Sequence, residues 1–234
     1  MKEFSNKYIF IFSSALVIVV AVLLSLAATM LQPRQERNLE IEKKQSMLES
    51  IGIASTVENA EELYDKYIQK GFIINSKGEL ADSSINAFTV ALRAEQRKPL
   101  TEQLLPVFNA ESEDGEPLTI IPVEGKGLWG PIYGFVSVES DMNTVHGVTF
   151  DHKGETPGLG AEINTTPFES MFRGKKLYES DKFVSIGIKK GRARPDDPHS
   201  VDAISGGTIT SKGLEEMLLH GLGKYNDYFL KSKK

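Results

Sequence analysis

The chain has 234 residues, 40% hydrophobic and 25% charged. That is room for one sizeable domain or two small ones, and too apolar a mixture for wholesale disorder. A net charge of −5 without a basic stripe argues against nucleic acid as a partner, and the absence of cysteine excludes disulfides and thiolate-held zinc or iron–sulfur centres.

Residues 1–7 form a short tail carrying Lys2 and Lys7. Tyr8–Leu31 then runs without a charge, and Pro33 and Arg34 follow it. About 20 helical residues cross a bilayer core, so residues 8–31 are expected to be a transmembrane helix. A cleaved signal peptide has a shorter apolar core and a small-residue cleavage site. Ser25-Leu26-Ala27 imitates such a site, but apolar Met30-Leu31 come after it, which favours a retained anchor. Arg34, Arg37, Lys43 and Lys44 outnumber the basic residues before the span. That count alone puts the following domain in the cytoplasm, although long domains translocate largely regardless of it.

Residues 32–70 read as a stalk and helical segment. Arg37–Ile53 carries an imperfect helical pattern through Leu39, Ile41, Met47, Leu48 and Ile51. Glu58–Gln69 is a second helix candidate with Gly71 in the stop position. From residue 71 to 234 the pattern turns to mixed strands and helices. Phe72–Ile74, Leu118–Val123, Tyr133–Val138, Val145–Phe150 and Phe183–Ile188 read as strands, with a hairpin turn at Glu139–Asn143. Arg93–Asn109 reads as a loop or weak helix. A last helix is expected over about Ser211–Leu222, with Tyr225 inward. The fold class is therefore α+β, behind one N-terminal transmembrane helix.

Four glycine-rich stretches stand out: Gly125–Pro131, Gly154–Gly160, Gly187–Arg194 and Asp202–Ser211. In the last, Gly206-Gly207 permits a tight turn among the hydroxyls of Ser205, Thr208, Thr210 and Ser211, just before a helix with Thr210 or Ser211 as N-cap. Open N–H groups at a helix start attract phosphate, but an ordinary capped helix explains the same residues more simply. The stretch has no G-x-G-x-x-G, P-loop or G-x-S-x-G pattern. In Gly154–Gly160 the alternatives are a plain β-turn and a backbone loop lying against a flat ring. Trp129 is either a packing aromatic or a partner for a heteroaromatic. His146, His152, His199 and His220 include no i, i+4 pair, so no metal site is expected.

Taken in order, Gly125–Tyr133, Gly154–Glu162 and Asp202–Ser211 resemble the C subunit of the sodium-translocating NADH:quinone oxidoreductases, a family of membrane-anchored FMN-binding domains. The resemblance is strongest from Gly125 to Gly213. It implies FMN held covalently, its phosphate esterified to the threonine of a Ser-Gly-Ala-Thr motif. Here that motif is Ser205-Gly206-Gly207-Thr208, with Gly207 in place of alanine, so Thr208 is the expected attachment site and Thr210 the runner-up. Ser205, Gly206 and Gly207 would shape the phosphate turn, Glu155, Thr156, Leu159 and Gly160 would line the ring pocket, and Trp129 would lie near the ring. Asp202 matches the aspartate of the sequence recognised by a separate flavin transferase.

The resemblance further implies an electron relay to another flavin subunit, coupled to sodium export with ubiquinone as acceptor. No catalytic residue is assigned to this chain, which would be inactive alone. Its partners would be the other subunits and the membrane, with the soluble domain on the periplasmic side of a bacterial inner membrane. Two alternatives remain: the G subunit of an ion-translocating ferredoxin:NAD oxidoreductase, and an anchored scaffold without a redox group.

Overall fold

The computed structural model describes residues 5–69, 71–81 and 84–233. The chain divides into two compact units, Met1–Lys43 and Lys44–Lys234. Helix α1 spans Asn6–Ser50 and contains a segment long and apolar enough to cross a membrane. Its Phe10, Leu24 and Met30 side chains are 74%, 66% and 78% exposed. A helix apolar all round suits a lipid environment and not water.

The sequence predicts a separate stalk helix from Arg37 to Ile53, but α1 instead runs unbroken through Pro33 to Ser50. Proline removes a single intrahelical N–H bond, and the turns on either side persist. One of them carries an i, i+4 bond from Gln32 to Glu36 at 2.9 Å.

The second unit is built on a five-stranded antiparallel sheet in chain order. Its strands are β1 (Phe72–Ile74), β2 (Leu105–Glu111), β3 (Pro117–Lys126), β4 (Pro131–Glu139) and β5 (Val145–His152). Both faces are covered. On one side Ile121, Val123 and Val136 share a core with Leu214, Leu218 and Leu222 of α5 (Thr208–Gly223) and Phe229 of α6 (Asn226–Ser232). On the other, Phe108, Ile120 and Phe135 meet Met47, Leu48 and Ile51, with Leu63 and Tyr64 of α2 (Ala60–Tyr67) packed alongside. A strand buried on both faces reads as an apolar run, which explains the poor alternation of Leu118–Val123.

The last turn of α1 needs partners for its carbonyls. Thr149 donates to Ser46 O at 3.0 Å, Ser50 donates to Met47 O at 2.7 Å, and the Ser137 hydroxyl donates to Ser50 O. The helix end is thus bonded to the middle of β4 and β5.

Two further expectations are corrected. Arg93–Asn109, expected as a loop or weak helix, does include the end of the short helix α3 (Leu92–Glu95), but it also holds most of β2. Pro106 and the burial of Leu105–Phe108 hide the strand, because proline argues against one and burial on both faces removes the alternation. Phe183–Ile188 is not one strand. It divides between a hairpin of β6 (Tyr178–Glu179) with β7 (Lys182–Phe183) and a parallel pair of β8 (Gly187–Lys189) with β9 (Ser200–Asp202). Between them Ser185 takes a left-handed φ of 61° and donates its N–H to Leu177 O at 3.0 Å, which ends the strand. Tyr225 is buried, as expected. Sheet and segregated helices together make an α+β domain.

Candidate functional site

Three of the four glycine-rich stretches, Gly125–Pro131, Gly154–Gly160 and Asp202–Ser211, meet at Glu155, whose side chain is buried. One oxygen accepts the backbone N–H of Trp129 at 2.8 Å, and the other accepts the hydroxyl of Thr210 at 2.5 Å. Its own N–H donates to Nδ1 of His152 at 3.2 Å. The loop after β3, the turn after β5 and the first turn of α5 are therefore bonded to one carboxylate. Gly160 lies against this junction, and a Cβ there would strike both Glu155 Oε2 and Thr210 Oγ1. Thr156 anchors the same turn through its carbonyl, which accepts the N–H groups of Leu159 and Ala161, each at 3.1 Å.

The helix start differs from expectation. Helix α5 begins at Thr208, with Gly207 as N-cap and no side-chain cap. The expected capping hydroxyls lie inside the helix with other tasks. Thr210 serves Glu155, and Ser211 Oγ accepts the N–H of Ile204 at 3.2 Å. Gly206 has φ of +76°, and a Cβ there would lie 2.5 Å from Leu159 Cδ2. Any larger residue would be strained and would displace Leu159.

Thr208 and Thr210 have opposite surroundings. Thr210 is 1% exposed, whereas Thr208 is exposed and lines a cavity of about 460 Å³. Ser205, Gly206, Ile204 and Ser211 also line that cavity. Leu159 and Trp129 are 42% and 70% exposed. The geometry offers an accessible hydroxyl beside a cavity, with apolar side chains exposed on the neighbouring bonded loops.

Lys190, Gly191 and Lys212 also line the cavity, and the sequence pattern does not mark them as site residues. The Gly187–Arg194 stretch signals itself by composition, but which of its residues reach the cavity depends on the pairing of β8 with β9. Glu215 lies on the same wall, where its Oε1 accepts the N–H of Ile188 at 3.0 Å. The cavity beside Thr208 thus carries Lys190 and Lys212 against the Glu215 carboxylate, with the Lys212 ammonium 3.9 Å from Glu216.

A family model described as FMN-binding domain matches residues 127–222. The C subunit of the Na(+)-translocating NADH-quinone reductase of Haemophilus ducreyi is 31% identical over 232 residues, covering 92% of this chain and 90% of that protein. The corresponding subunit of Vibrio anguillarum is 34% identical over 223 residues, covering 89% and 87%. Among solved structures, the C subunit of the same reductase from Parabacteroides distasonis superposes with a TM-score of 0.77 at 40% identity, covering 85% of this chain and 96% of that one. Shewanella oneidensis NqrC gives a TM-score of 0.72 at 26% identity, covering 86% and 99%. With the membrane-length helix, the FMN-binding domain and likeness along almost the whole chain, this protein belongs to the family of C subunits of the Na(+)-translocating NADH-quinone reductases.

Proposed function

We propose that the chain carries FMN esterified through its phosphate to Thr208, and that this flavin relays electrons inside a sodium-exporting NADH:quinone reductase. The observation that carries the attachment is the contrast between the two threonines. Thr208 is exposed and lines the cavity, whereas Thr210 is buried with its hydroxyl given to Glu155.

The residues present fit the cofactor. Gly206 and Gly207 let the turn before Thr208 pack tightly against Leu159 and Ile204, and Lys190 and Lys212 line the same cavity as Thr208 and supply positive charge for a phosphate there. Ser205 lies on the same turn. Leu159 and Trp129 offer exposed apolar surface for a flat ring, while Glu155, Thr156 and Gly160 hold the loops that present them. When bound, FMN supplies the redox chemistry; the chain supplies position, charge and a covalent tether.

In this reading residues 8–31 form a single-pass anchor in a bacterial inner membrane, residues 32–70 a stalk and helical segment, and residues 71–234 the flavin-binding domain on the periplasmic side. Electrons pass from neighbouring membrane subunits to this flavin and on to another flavin subunit, with ubiquinone as final acceptor. A separate flavin transferase attaches the cofactor, and the chain has no activity without the other subunits.

The test is in-gel flavin fluorescence of denatured full-length chain, produced with a flavin transferase. Thr208→Ala is expected to abolish fluorescence, and Thr210→Ala to retain it. The reverse pattern would move the tether to Thr210, and no fluorescence in the unsubstituted chain would remove the flavin altogether.

A further inference from the structure

The loop between β8 and β9 returns onto the residue that leads the attachment motif. Strands β8 and β9 are parallel, with Lys189 opposite Asp202, and Ala203 N–H donates to Lys189 O at 2.9 Å. Beyond Lys189 the chain turns at Gly191, where φ is +90°. The N–H of Ala193 then donates to Asp202 Oδ1 at 2.7 Å. One side of this loop, Lys190 and Gly191, lines the cavity beside Thr208. Its other part, Arg192–Arg194, lines a second cavity of about 430 Å³ together with Asp202.

Asp202 thus has a structural task at the distance of a charge-assisted hydrogen bond. Without it the turn at Gly191 would lose a fixed point close to the residues that face Thr208. We propose that Asp202 is a positioning residue for flavin attachment, acting through the N–H of Ala193: it clamps the 189–194 loop and so sets the cavity wall beside Thr208. Its acceptor oxygen, not its negative charge, is what the attachment requires.

This rests on Thr208 being the attachment residue. In the attachment step the Thr208 oxygen forms a bond to the flavin phosphorus, and the phosphoanhydride bond of an activated flavin dinucleotide breaks. The hydroxyl proton passes to a base, and a nucleoside monophosphate leaves with the bridging oxygen. No oxidation state changes.

The experiment measures the rate of FMN attachment to the full chain by intact-mass spectrometry, with a flavin transferase and a flavin dinucleotide donor. Asparagine keeps an acceptor oxygen at this position and loses the charge, whereas alanine loses both. Asp202→Asn should stay near the unsubstituted rate, while Asp202→Ala should slow attachment about tenfold or more, the scale of one lost hydrogen bond to a charged group. Hydrogen exchange at the Ala193 amide should be faster in Asp202→Ala and near normal in Asp202→Asn. If Asp202→Asn is as slow as Asp202→Ala while its Ala193 amide stays protected, the charge is what matters and the clamp is overturned. If the unsubstituted chain takes no flavin on Thr208, the attachment reading itself falls, and the clamp's role in attachment falls with it.

Discussion

Glu155 accepts hydrogen bonds from Trp129 and Thr210 while almost wholly removed from water. A buried carboxylate that loses a partner is left with an unmet acceptor, so removing the Thr210 hydroxyl costs more than the contact alone. Thr210→Ala should lower unfolding free energy by about 1.5–3 kcal/mol, measured by thermal or urea unfolding of the full chain in detergent. Gly160→Ala places a methyl against the same two side chains and should cost about 1–3 kcal/mol by overpacking. Stability unchanged in both variants would mean that this junction does not hold the loops. Glu155, Gly160 and Thr208 were legible as parts of motifs. Lys190 and the bond from Ala193 to Asp202 were not, because each depends on where the loop after β8 returns.

Elements show the same division between local and distant causes. The end of α1 is legible as an apolar pattern, yet its bonds to Ser137 and Thr149 join residues far apart in sequence. Leu48 is fully buried among sheet residues, and Leu48→Ala should cost about 2–5 kcal/mol. Strand β2 escaped the sequence pattern because two covered faces erase alternation and Pro106 mimics a break. Helix α4 (Thr166–Glu169) is tied to β5 where Glu169 accepts the N–H of Phe150 at 2.7 Å. Burial, with Glu49 and Asp151 nearby, pushes the Glu169 carboxyl up to about 7, against the opposing effect of that N–H. The folded chain therefore holds this proton more tightly than the unfolded chain. The stabilisation is full below the ordinary carboxylate range, around 4.3, and is lost as pH rises through about 7. Relative to Glu169→Gln, the unsubstituted chain should lose stability across that window, as read by unfolding at a series of pH values. A parallel pH dependence in both proteins would assign the effect elsewhere.

At the scale of the molecule, an apolar helix and an α+β domain were both legible, because charge-free length and mixed periodicity need no tertiary information. The side of the membrane was not, since a long domain weakens the charge rule that sets it. In spheroplasts, protease added from outside should degrade the 44–234 unit; protection there would put it in the cytoplasm. The proposed attachment residue was legible only as a choice between two threonines two positions apart. Helix α5 separates them, turning one hydroxyl inward to Glu155 and leaving the other beside the cavity. Fragmentation mass spectrometry of the peptide containing Thr208 and Thr210, taken from full-length chain purified from membranes, tests this most directly. The expected result is the mass of FMN less water on Thr208, with Thr210 unmodified. An unmodified peptide, or the added mass on Thr210, would contradict it.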